Sequence, residues 1–73
     1  MLPGIDLEAT GRNIKNFRKE RRLKVVDIQN VFDFNTPQAI YKWERGDCLP
    51  TVDNLVTLTH IFGCKIEDLI VVI

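Results

Sequence analysis

Cys48, His60 and Cys64 are the softest potential metal donors in the chain. His60 and Cys64 stand four residues apart, but Gly63 is expected to break any helix between them. A structural zinc site needs four ligands, and this set offers three. A nucleophilic cysteine with His60 as its base would need an orienting motif, and none is present. No Gly-rich phosphate loop is present either. The expectation is therefore no enzyme, no metal and no cofactor. Two other groupings carry more chemistry. Residues 12–24 hold seven bases (Arg12, Lys15, Arg18, Lys19, Arg21, Arg22, Lys24) and one acid, Glu20. Such a run can steer a polyanion. Further on, if Ile40 and Trp43 face a core, Gln38, Tyr41, Lys42 and Arg45 share the opposite helical face at i, i+3, i+4 and i+7. An amide at such a position can bond both edge atoms of an adenine, and a base can reach guanine or phosphate.

The rest of the chain must position these residues. It has 73 residues, 45% apolar and 27% charged, which suits one globular domain. A domain this small buries only about 60% of its unfolded surface, so a large enclosed substrate cavity is not expected. Ten bases balance ten acids, and neutrality by itself argues against a polyanion binder. The balance conceals an asymmetry, however. Residues 1–46 carry nine bases and six acids, and residues 47–73 carry one base and four acids. The longest apolar run, Leu69–Ile73, is five residues, too short to span a membrane. The start, Met1-Leu2-Pro3-Gly4, lacks the pattern of a signal peptide. Reduced thiols and a cytoplasmic location are the resulting expectation.

Punctuation along the chain predicts an all-α fold of five short helices. Residues 1–9, with Ile5 and Leu7 at period two, read as an extended arm before a domain of residues 10–73. Thr10 is the expected N-cap of the first helix, whose face carries Ile14, Phe17, Arg18 and Arg21 and which ends near Arg22. Val25, Ile28, Val31 and Phe32 mark the second helix, with Asp27 in its first turn. Asp33-Phe34-Asn35 reads as a turn. Thr36-Pro37 reads as an N-cap followed by proline at the first helical position. Ile40 and Trp43 give the third helix its inner face, and Gly46 stops it. Thr51 caps a fourth helix with an inner stripe of Val52, Leu55, Leu58, Thr59 and Phe62, ended by Gly63. Ile66, Leu69 and Ile70 form a last short helix, and the β-branched Val71-Val72-Ile73 either continues it or is extended. Arg18 and Glu44 fall on the apolar sides of helices 1 and 3. The simplest arrangement is an ion pair locking those helices together, since charged residues are seldom buried alone.

With these residues in order, the chain resembles the Cro/C1-type (XRE) helix-turn-helix family of DNA-binding regulators. The resemblance rests on several segments across about residues 10–70. They are Ile14-x-x-Phe17-Arg18, Leu23, Ile28–Phe34, Ala39–Gly46, Leu49–Leu55 and Phe62–Leu69. The family carries this Arg and this Glu at positions 18 and 44, which implies the ion pair again. Cys64 stands where the family has an apolar residue and so reads as a buried thiol. Three departures stand out. Five residues separate Phe34 from Ile40, where the pattern has four. Lys24-Val25 replaces the frequent Thr-Gln at the start of helix 2. Asp33 replaces the usual turn glycine, which is tolerable because Asp visits left-handed backbone more easily than most residues.

The resemblance implies a compact, lambda-repressor-like five-helix bundle with helix 3 in the major groove of double-stranded DNA. The first turn of such a helix usually reaches base edges. Gln38 and Tyr41 are then the leading base readers, with Thr36 and Asn35 beside them. Lys42 and Arg45 are expected on phosphates, as are Lys15, Lys19, Arg12 and Lys24. The expected role is a small sequence-specific transcriptional regulator, a repressor, reading DNA as a homodimer through helices 4–5 and the apolar tail. The alternative is a protein-interaction adaptor or antitoxin-like module, whose surface would be Asp47, Asp53, Glu67, Asp68 and the tail.

Overall fold

The computed structural model describes residues 4–73. Among them five helices follow in order: α1 (Leu7–Glu20), α2 (Val25–Phe32), α3 (Gln38–Arg45), α4 (Val52–Phe62) and α5 (Ile66–Leu69). Each boundary has a local cause. The Asp6 carboxylate accepts the Ala9 N–H at 3.0 Å and starts α1. The helix therefore begins before the expected cap, Thr10, because Leu7, Glu8 and Ala9 are acceptable helix residues once Asp6 supplies the acceptor. Thr10 is instead buried, and its hydroxyl accepts the Val71 N–H at 3.0 Å. Of the expected arm of residues 1–9, Gly4–Asp6 precede the helix, Leu7–Ala9 belong to it, and positions 1–3 lie outside the described residues.

At the start of α2, the Lys24 N–H donates to the Asp27 carboxylate at 2.7 Å. Asp33 ends this helix in the left-handed region (φ 56°, ψ 38°). The start of α3 differs from expectation by one residue. Pro37, not Thr36, is the N-cap, and no side chain caps this end. The Pro37 carbonyl accepts from Ile40 and Tyr41 at 3.1 and 3.2 Å, so proline's fixed φ sets the first turn from just outside the helix. Thr51 does cap α4, accepting the Asn54 N–H at 3.3 Å. Val52 was expected on the inner stripe of α4 but is 71% exposed. It is the first helical residue, ahead of the turn whose Leu55 reaches the core.

After α5 the chain is extended. Val72 bridges Ile5 antiparallel, with Asp6 N–H to Val71 O and Ile73 N–H to Gly4 O both at 2.8 Å. The core consists of Ile14, Val25, Ile28, Ile40, Trp43, Leu55, Leu58, Phe62 and Leu69. Phe17 stacks on Phe62 with ring centroids 5.8 Å apart.

Two glycines decide how α1 meets α3. A Cβ on Gly11 would fall against the Trp43 carbonyl oxygen and within 2.7 Å of the Glu44 carbonyl oxygen. Gly46, at φ +80°, leaves no room either, since a Cβ there would lie 2.8 Å from the Glu8 Cα. The start of α1 thus lies directly on the backbone at the end of α3. The Arg18–Glu44 pair fastens the same two helices farther along α1.

Candidate nucleic-acid interface

The inner side of α3 is fixed by Ile40, Trp43 and Glu44. Arg18 Nε donates to Glu44 Oε2 at 2.7 Å, and Arg18 Nη2 donates to Glu44 Oε1 at 3.1 Å. Arg18 Nη1 also donates to the Leu23 carbonyl at 3.1 Å. The two side chains are only 12% and 6% exposed. The hydrogen bond to Glu44 raises the Arg18 pKa above its ordinary value, while burial works in the opposite direction. Among the described residues, no buried side-chain nitrogen or oxygen lacks a partner.

Rotation about the helix axis sends the remaining polar residues and Tyr41 outward, while Ala39 stays half-buried against the core. Gln38, Tyr41, Lys42 and Arg45 are all exposed and line one open groove of about 280 Å³. Among the described residues, the side chains of Gln38, Tyr41 and Lys42 make no hydrogen bond within the protein. Arg45 does have a partner: its Nε and Nη2 donate to Asp47 Oδ2 at 3.0 and 2.8 Å. Asn35 and Thr36 are exposed in the turn that leads into α3. The groove is lined by α3 residues, and the α1 bases stand apart from it. Arg12, Lys15 and Lys19 are exposed. At 3.6 residues per turn they share a stripe beside the one on which Gly11 and Arg18 meet α3. Lys24 is exposed at the N-terminal end of α2.

The turn between α2 and α3 is packed by aromatic rings rather than being an open polar loop. Phe32 and Phe34 stack at 5.1 Å, and both meet Trp43 edge-on, at 5.5 and 6.0 Å. Gln29 Nε2 donates to the Phe34 carbonyl at 3.1 Å. Sequence reasoning placed Phe34 in a turn and missed this cluster. The signal was there in the unusual density of aromatics around a turn. It named Asp47 only as part of an acidic surface and missed its contact with Arg45, whose signal was its place two residues beyond Arg45 across a helix-ending glycine.

The metal donors considered from the sequence stay apart in character. Cys48 is exposed and Cys64 half-buried. Burial raises the Cys64 thiol pKa, the Asp68 charge adds to this, and Arg21 opposes it. Among the described residues, no three His, Cys, Asp or Glu side chains cluster to hold a metal ion. No helix there is long and apolar enough to cross a membrane.

Comparison with known proteins fits this geometry. Residues 14–69 match the family model described as "Helix-turn-helix". No curated protein matches the sequence. Two solved structures share the fold. "Crystal structure of the DNA-binding domain of BldD" superposes with a TM-score of 0.74 at 20% identity, covering 89% of this chain and 93% of that one. "Structure of the S. venezulae BldD DNA-binding domain" gives 0.73 at 20% identity, covering 89% and 96%. With most of its length inside the family match and every helix of the motif in place, the chain belongs to the Cro/C1-type helix-turn-helix family of DNA-binding regulators.

Proposed function

We propose that this chain binds double-stranded DNA sequence-specifically as a small transcriptional repressor, with α3 in the major groove. The observation that carries this reading is the outward row Gln38, Tyr41, Lys42 and Arg45 on a helix whose other side is fixed to α1. The structural neighbours are described as DNA-binding domains, which supports the same reading. Gln38 and Tyr41, in the first turns of α3, read base edges, with Asn35 and Thr36 flanking them. Lys42 and Arg45 hold phosphates, as do Lys15, Lys19 and Arg12 from α1 and Lys24 from the start of α2. The reading places it in the cytoplasm, together with the DNA it would bind.

One module of this size has few contacts, so the reading includes a homodimer spanning two half-sites about 34–36 Å apart. Exposed Val52 and Val56 on α4, with Val72 and Ile73 in the tail, supply its apolar surface. The adaptor reading draws on the acidic residues Asp47, Asp53, Glu67 and Asp68. Asp68 is already engaged internally, accepting the Lys65 N–H at 2.9 Å, and Asp47 lies on Arg45 of the α3 row rather than on a separate acidic face. DNA therefore remains the preferred partner.

Selection of bound sites from a random duplex library tests the proposal. An enriched, two-fold symmetric site supports it. Absence of enrichment, with no shift of any duplex at low salt, removes it in favour of a protein partner. On the selected site, Gln38→Ala should relax preference at one position by about 1–3 kcal/mol. Lys42→Ala should weaken all sequences alike. Equal, sequence-blind losses in both variants would contradict the division of roles.

A further inference from the structure

We propose that Asp47 is an internal competitor for Arg45 and so limits how tightly the α3 face grips a phosphate backbone. The proposal rests on the DNA reading above and concerns the regulation of that same site. Gly46 turns the chain back at the end of α3, and the Asp47 N–H then closes on the Lys42 carbonyl at 2.9 Å. That closure is a common helix ending, and it pins the Asp47 backbone beside the last turn. From there the carboxylate takes Nε and Nη2 of Arg45 at 3.0 and 2.8 Å. Nε and one Nη form an edge of the guanidinium on which a phosphate can bind bidentately. A carboxylate on that edge occupies the place of a phosphate.

The pair is built to be exchanged rather than kept. The two side chains are 60% and 52% exposed, and ion pairs in water contribute little. Contrast the Arg18–Glu44 pair, which is shielded and engages both carboxylate oxygens, where Asp47 uses one. Among the described residues, two cations line the groove, Lys42 and Arg45. Asp47 therefore neutralises half of its positive charge in the free protein. When DNA arrives, a phosphate oxygen displaces the carboxylate, which is left near a polyanion. Binding to every sequence is weakened to the same degree, and discrimination is left to Gln38 and Tyr41.

Fluorescence anisotropy across a salt series tests this, using a random-sequence duplex of about 21 base pairs, two helical turns. Wild type, Asp47→Asn, Arg45→Gln and the double variant are compared, with thermal melts showing that each is folded. Asp47→Asn should bind about two- to five-fold more tightly at low salt. Its slope of log affinity against log salt should steepen by up to about one. In the Arg45→Gln background most of the gain should be lost, leaving only the part that comes from one fewer negative charge near the duplex. An equal gain in both backgrounds would overturn the proposal, because Asp47 would then act as a general negative charge. So would an unchanged affinity in Asp47→Asn while wild type binds normally, an outcome that leaves the DNA reading standing. Failure of all four proteins to bind at low salt would remove the DNA reading and this proposal together. Asp47→Ser provides a second variant with the same expectation.

Discussion

The two sides of α3 are held by opposite rules. On the inner side, Glu44 accepts two hydrogen bonds from a shielded guanidinium, and the helix backbone touches α1 where Gly11 has no side chain. On the outer side, Gln38, Tyr41 and Lys42 have donors and acceptors with no internal partner among the described residues, and Arg45 has an exposed, replaceable one. A helix that must present unpaired groups in a fixed register needs its other side fixed by contacts that tolerate no slack. The inner side fixes the angle of the helix, and the outer side is left to be satisfied from outside.

The largest expected effect breaks the inner side. Glu44→Ala leaves the Arg18 guanidinium buried without its acceptor and should cost about 3–5 kcal/mol in chemical denaturation. A melt indistinguishable from wild type would mean that the pair does not fasten the two helices. Gly11→Ala comes next. The added methyl meets backbone carbonyls that cannot rotate away, and about 1–3 kcal/mol of strain outweighs the gain in helix propensity. If this variant were instead stabilised, the close approach of α1 and α3 would not be rigid. Thr10→Val removes the acceptor of the Val71 N–H inside a buried site and should cost about 1–3 kcal/mol. The smallest effect lies outside. Lys15→Ala and Lys19→Ala should leave stability within about 0.5 kcal/mol. Each should lower the salt dependence of DNA binding by about one phosphate contact. An unchanged slope would place α1 away from the duplex.

How legible this was depended on how local each cause is. The bounds of α2 and α4 follow from Asp27, Asp33, Thr51 and Gly63, each acting within a few residues. The start of α1 was less readable, because Asp6 and Thr10 are both competent caps and only the tail decides between them. Thr10 is claimed by Val71, a partner 61 positions away. The turn before α3 failed for a related reason. Thr36-Pro37 is a strong local signal, but the aromatic stack of Phe32, Phe34 and Trp43 sets where the chain enters the helix. At the site, helical spacing alone separates Gln38, Tyr41, Lys42 and Arg45 from Ile40 and Trp43. It could not reveal that Arg45 already has a neighbour, since that contact depends on the turn made at Gly46.

One helix has polar ties to the rest of the chain over very unequal distances. From α1 and its C-cap residue Arg21, Arg18 reaches Glu44, Arg21 donates to the Phe62 carbonyl, Asn13 donates to the Leu69 carbonyl, and Thr10 receives Val71. These ties close loops of 26, 41, 56 and 61 residues. During synthesis α1 leaves the ribosome ahead of these partners, which emerge in that same sequence. The emerging chain should therefore tighten in steps, with the α3 anchor available before the tail. Resistance of α1 to protease would then rise as α3 emerges, and rise further as Phe62, Leu69 and Val71 become free to dock in turn.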